Sequence, residues 1–155
     1  MPTEIEHKYL VDKELWKQVI PDKSVKITQA YLLTDPNKTI RVRTTGNKAF
    51  ITIKGKTVGA SRAEFEYEIP LSEANELIRD FCSNIIEKTR YYVNHENKTW
   101  EVDVFEGLNA GLTIAEIELT NEDEKYTKPN WVKENVTSDM QYANSNLGIK
   151  PYSTW

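Results

Sequence analysis

A chain of 155 residues, 39% apolar and 28% charged, is long enough to bury a core unaided and fits one domain spanning residues 1–155. Its net charge of −4 excludes a broad electrostatic grip on nucleic acid, so any polyanion has to be held in a local basic pocket. No apolar run reaches membrane-spanning length, no signal peptide precedes the first strand, and the lone Cys82 excludes an internal disulfide, so the expected setting is a reducing cytoplasm.

The first strand is expected over 3–11. There Glu4-Ile5-Glu6-His7-Lys8 places Glu4, Glu6 and Lys8 on one face and leaves His7 on the apolar side as a structural residue. Asp12 caps a short helix through Leu15, Trp16 and Val19 that ends before Pro21. A second strand, 25–34, offers Gln29 and Tyr31, and Asp35-Pro36-Asn37 turns it into a third, 38–45. In the third strand Arg41 and Arg43 oppose Ile40 and Val42. Thr45-Gly46-Asn47 makes a tight hairpin into the fourth, 48–55, with Thr52 and Lys54 opposite Ile51 and Ile53. In the fifth strand, 61–69, Glu64, Glu66 and Glu68 oppose Phe65, Tyr67 and Ile69.

A helix starting at Ser72-Glu73-Ala74-Asn75-Glu76 carries an apolar stripe of Leu77, Ile78, Phe81 and Cys82, the cysteine serving as a small core residue. The sixth strand, 85–94, puts Lys88 and Arg90 on one face, and Asn94-His95-Glu96-Asn97 turns it into the seventh, 98–106. Glu101 and Asp103 there oppose Val102 and Val104; in the eighth, 112–120, Glu116 and Glu118 oppose Ala115, Ile117 and Leu119. One or two short helices are expected in the tail, around 131–135 and 138–147.

Eight antiparallel strands with few helices read as an α+β, mainly β fold, closed into a barrel that leaves no edge exposed. The charged faces could point to solvent over an aliphatic interior, or inward to line a tunnel. The helices favour the tunnel, because their apolar stripes need an aliphatic outer wall to pack on. So does the segregation of sign, basic on the third, fourth and sixth strands and acidic on the fifth, seventh and eighth, since ordinary surfaces mix both signs.

Lysines and arginines converging from several strands suit a small anion with several phosphates. Carboxylates from the first and eighth strands suit a hard divalent cation, Mg²⁺ or Mn²⁺, bound through oxygen. Together they imply phosphoryl transfer or hydrolysis, with a non-catalytic triphosphate- or nucleotide-binding module as the other class. Gly55-Lys56-Thr57 imitates the end of a P-loop, but Phe50 stands where the upstream glycine belongs.

The ordered set Glu4-Ile5-Glu6-His7-Lys8, Arg41-Val42-Arg43, Ile53-Lys54-Gly55, Glu64-Phe65-Glu66-Tyr67-Glu68, Lys88-Thr89-Arg90, Glu101-Val102-Asp103 and Ala115-Glu116-Ile117-Glu118 resembles the CYTH domain, or triphosphate tunnel metalloenzymes. The likeness extends to Tyr142-Ala143-Asn144-Ser145-Asn146-Leu147. It implies a tunnel that binds triphosphates with Mg²⁺ or Mn²⁺. Glu4, Glu6, Glu116 and Glu118 would be the metal ligands, and Lys8, Arg41, Arg43, Lys54, Lys88 and Arg90 would hold phosphate. The catalytic set it implies is Lys8, Tyr31, Glu64, Glu66, Lys88 and Asp103. Family activities include inorganic, thiamine and RNA triphosphatases and class IV adenylate cyclase. The short loops resemble the small bacterial type, for which hydrolysis of inorganic triphosphate is the leading expectation, with nucleoside triphosphates as further candidate substrates. The expected partner is a small-molecule triphosphate, with neither nucleic acid nor membrane, and the aliphatic wall could support a homodimer.

Overall fold

The structure is a computed structural model describing residues 2–155. In chain order its elements are β1 (Thr3–Val11), α1 (Lys13–Trp16), β2 (Lys23–Asp35), β3 (Lys38–Thr45), β4 (Lys48–Gly55), β5 (Ser61–Ile69) and α2 (Leu71–Asp80). These are followed by β6 (Ser83–His95), β7 (Lys98–Phe105), β8 (Thr113–Glu118), β9 (Val132–Asn135) and α3 (Asn144–Ile149). The strands run antiparallel in the order β5-β4-β3-β2-β6-β7-β8-β1, and β1 closes the ring on β5 through Thr3–Ala63, Glu4–Arg62 and Ile5–Ser61. The expected eight-stranded barrel is therefore present.

Its hairpins follow local chemistry. Gly46 takes φ +60 between β3 and β4, and Glu96 and Asn97 take φ 49 and 64 between β6 and β7. Two consecutive left-handed residues match the right-handed twist of the flanking strands.

The segment 131–135, expected as a helix, is instead the short strand β9. Beyond Ile5 the edge of β1 has left β5, and β9 takes it up through Tyr9–Asn135 and Val11–Val132. A helix there would have left that edge of β1 unpaired. The second expected tail helix is also divided, because Ala143 is extended (φ −67, ψ 136) between a 3₁₀ turn at Met140–Tyr142 and α3. Gly148 lets α3 press onto the start of β6, where an added Cβ would lie 2.7 Å from that of Asn84.

The aliphatic strand faces point outward, as the tunnel reading requires. Tyr9, Trp100, Val102, Ala115 and Ile117 form one outer cluster with Trp131 and Val132, and Leu15, Trp16 and Val19 pack against it. Val42 and Ala49 form another with Ala74 of α2, and Leu77, Ile78 and Cys82 pack against it. Asp12 caps α1 by accepting from the Leu15 N–H, as expected, although α-helix proper ends at Trp16. Phe81 departs from its expected place in the stripe. It sits past the end of α2 in a non-helical conformation and is 70% exposed. His7 is structural on the outer side, its Nδ1 2.6 Å from the Tyr126 hydroxyl.

A third cluster lies at one end of the barrel. Tyr31, Ile86, Phe105 and Ile114 meet there under Leu147 of α3, with Leu10 packed alongside. This apolar floor was not anticipated. Replacing the fully buried Leu147 by alanine is expected to lower stability by about 2–4 kcal/mol. A urea titration should show a lower midpoint at unchanged slope; an unchanged midpoint would mean that α3 is not seated on the barrel.

Candidate active site

The strand order arranges the interior charges into two arcs. Lys54 of β4, Arg41 and Arg43 of β3, and Lys88 and Arg90 of β6 occupy one side, with Gln29 and Tyr31 of β2 between them. Glu101 of β7, Glu116 and Glu118 of β8, Glu4 and Glu6 of β1, and Glu64 and Glu66 of β5 complete the circle. Lys8 stands within the acidic arc. All of these except Gln29 line a single cavity of about 280 Å³.

Register converts the arcs into cross-strand ion pairs. Arg90 faces Asp103 and binds it through Nε and Nη2 at 2.8 and 2.9 Å, while its Nη1 reaches Glu101 at 2.9 Å. Lys88, 1% exposed, lies 2.7 Å from Asp103 Oδ2, the oxygen that also accepts from Arg90 Nη2. Lys54 faces Glu64 at 3.2 Å and also reaches Glu4 at 3.1 Å, which Arg62 approaches at 3.5 Å. Glu66 serves both Arg41 (3.6 Å) and Arg43 (3.4 Å). Asp103 is fully buried behind Lys88 and Arg90 and does not line the cavity.

The basic arc is short of acceptors. The Nε groups of Arg41 and Arg43 are buried without a hydrogen-bond partner among the described residues. Burial, reinforced by the like charges of Arg41 and Arg90, pushes the Arg43 guanidinium down to about 10. Burial likewise lowers the Lys88 ammonium to about 8, against the pull of Asp103. Donors held in this state favour an incoming anion.

The acidic arc has the opposite deficit. Burial and the neighbouring carboxylates of Glu116 and Glu4 raise Glu6 well above the usual carboxylate range. Glu116 is held far below it: burial opposes ionisation, but Lys8, the hydrogen bond from Glu6 and Arg90 prevail. Within the pair, Glu6 is pushed toward its neutral form and Glu116 toward its charged form. Glu4 is also burdened by burial, yet Lys54 and Arg62 hold it at about 2. Among the described residues no three acidic, histidine or cysteine side chains are already gathered to hold an ion. The paired carboxyl oxygens of Glu6 and Glu116 nevertheless fit a hard cation.

Every residue expected at the site is brought to this one place, thirteen on the cavity wall and Asp103 directly behind it. Arg62 and Glu101 also line it. Each shares strand parity with residues already singled out, so the signal for both was present. Thr39, Asn144 and Ser145 line it as well. The last two arrive on α3, whose position over the barrel no strand periodicity reveals.

A protein-family model for the CYTH domain matches residues 2–149. The chain belongs to the CYTH family. This CYTH domain is 45% identical to an inorganic triphosphatase of Acetivibrio thermocellus, over all of its own length and 99% of the relative's. It is 33% identical to an inorganic triphosphatase of Nitrosomonas europaea, with 95% and 97% of the two chains covered. A crystal structure of an inorganic triphosphatase superposes on it with a TM-score of 0.66 at 32% identity, covering 96% of each chain.

Proposed function

We infer that this CYTH domain is a divalent-metal-dependent hydrolase of inorganic triphosphate, which it cleaves to pyrophosphate and phosphate. The observation that carries the reading is the arc of buried, under-satisfied cations facing an arc of carboxylates across one small cavity. Its resemblance to full-length inorganic triphosphatases supports the same substrate. The cavity lining is charged and polar apart from Tyr31, its one aromatic residue, which suits phosphate groups better than a nucleobase.

In this reading Arg41, Arg43, Lys54, Lys88 and Arg90, with Lys8 from the opposite wall, bind the phosphate oxygens. Glu66 holds Arg41 and Arg43, and Asp103 holds Lys88 and Arg90. Glu6 and Glu116, flanked by Glu4 and Glu118, hold Mg²⁺ or Mn²⁺, which oxygen donors of this kind prefer. When held there, such an ion would supply neutralisation of charge on the transferring phosphoryl group. Glu64, which burial and Glu4 raise above its ordinary value, is placed to orient or accept a proton from the attacking water.

The test is release of phosphate from tripolyphosphate, compared with pyrophosphate and ATP, with Mg²⁺ or Mn²⁺ and with chelator. Tripolyphosphate is expected to be the preferred substrate and chelator to abolish turnover. Cyclic AMP as the main product from ATP would replace hydrolase by cyclase, and saturable binding without turnover would leave a sensor.

The pH profile follows from Lys88. Its ammonium is needed to hold phosphate and loses its proton at about 8 rather than at the ordinary 10.5. The free enzyme's kcat/KM should therefore fall as pH rises through about 8. Bound triphosphate stabilises the ammonium, so the descending limb of kcat should lie at higher pH. If kcat/KM instead rose through this range, Lys88 would be acting as a base and not as a phosphate ligand.

A further inference from the structure

The hydrogen-bond chain at the floor of the cavity has only one consistent polarity. An ammonium carries donors and no acceptor. The Asn144 atom 3.0 Å from Lys88 Nζ is therefore its carbonyl oxygen, Oδ1. Oδ1 also faces the side-chain amide of Gln29 at 3.3 Å, so the Gln29 atom there is Nε2. The same Nε2 is 3.2 Å from the Tyr31 hydroxyl, and as a donor it obliges that oxygen to accept. Lysine thus fixes the orientation of three neutral side chains in sequence.

Two donor groups have no acceptor among the described residues. Asn144 turns its NH₂ away from Lys88 and Gln29, and Tyr31 has its own O–H free; both residues line the cavity. Gln29 itself is completely buried, and its Oε1 has no partner among the described residues. A buried carbonyl left unpaired weakens the fold. Gln29 is accordingly poor as a packing residue and suited to holding two others.

We propose that Asn144 is a further substrate-binding residue and Gln29 a positioning residue, which together with Lys88 aim the Asn144 amide and the Tyr31 hydroxyl at the phosphoryl group on the cavity floor. This rests on the triphosphate reading of the site. The uncharged donors sit beside Lys88 on the wall where β2 otherwise presents no cation. They bind phosphoryl oxygens there without adding to the repulsion among the buried lysines and arginines.

The experiment measures tripolyphosphate affinity by calorimetry in EDTA, where no turnover interferes, together with kcat and KM in Mg²⁺ and a urea midpoint. The variants are Gln29→Met, Tyr31→Phe, their combination, and Asn144→Ala. Gln29→Met keeps the volume and removes the orphaned carbonyl, so its urea midpoint should equal or exceed that of the parent. Its affinity should nevertheless fall about tenfold, the order expected of one hydrogen bond to a charged oxygen. Tyr31→Phe should cost about as much, and the combination little more than either, because Gln29 acts partly through Tyr31. Asn144→Ala should raise KM about tenfold. Losses that multiply to about 100-fold in the combined variant, or an Asn144→Ala protein with unchanged affinity, would overturn the proposal. A parent protein that binds tripolyphosphate but does not cleave it would overturn the hydrolase reading alone, and the coupling would still judge the network. A parent that neither binds nor cleaves would overturn both.

Discussion

Replacing Asp103 by alanine is expected to destabilise the fold by about 3–5 kcal/mol, the range for removing one partner of a buried ion pair. Asp103 has no exposure and touches two cations at once, Lys88 at 2.7 Å and Arg90 through a bidentate pair at 2.8 and 2.9 Å. Its removal leaves two buried positive charges facing Arg43 and the rest of the basic arc. A domain of this size loses roughly 2–4 °C of melting temperature per kcal/mol, so a fall on the order of 10 °C should be seen. Asp103→Asn, which preserves shape and one acceptor, should lose less. Tripolyphosphate should raise the melting temperature of the alanine variant more than that of the parent, since the ligand supplies the missing negative charge. A loss below about 1 kcal/mol would mean that the two cations do not depend on Asp103.

Glu6→Gln is expected to do the reverse, leaving stability nearly intact while reducing kcat by about 10²–10³-fold, the value of several kcal/mol at the reacting centre. Burial and the adjacent carboxylates push Glu6 toward its neutral form beside Glu116, which is pushed toward its charged form, and glutamine imitates that neutral form in shape and charge. The melting temperature should therefore barely move. What the variant loses is the second charged oxygen that a divalent cation would gain by displacing the proton. Titration with Mn²⁺ should show weakened binding in parallel with the fall in turnover. Undiminished turnover with the same cation dependence would remove Glu6 from the metal site.

Much of this architecture was legible because strands reveal their faces by parity. Glu4, Glu6 and Lys8 alternate with outward residues, and the same alternation in β3 to β8 supplied the remaining charges of the cavity. Parity does not reveal which strands become neighbours around a closed ring, so the division into a basic and an acidic arc emerged only with the strand order. The apolar floor was within reach and was missed. Leu10, Ile86, Phe105 and Ile114 share strand parity with Lys8, Lys88, Asp103 and Glu116, but tracking charge alone passes over them. The segment at Val132–Asn135 was misread because its strand state depends on the vacant edge of β1, a demand made by residues far away in sequence. Asn144 lies in a stretch that resembles the family, yet its contact with Lys88 depends on how α3 seats against β6.

β1 meets three partners, β8 along most of one edge and β5 and then β9 along the other, all of them distant in the chain. The β2–β5 and β6–β8 meanders, by contrast, are built from neighbouring hairpins, whose short loops close readily. The strand carrying Glu4, Glu6 and Lys8 is thus expected to dock late. Until it docks, the half-built sheet lies open and its arginines and lysines remain hydrated. Closure of the cavity over the basic arc and arrival of Glu4 beside Lys54 would then be a single event, so Lys54 need not be shut away before this second counter-charge is in place.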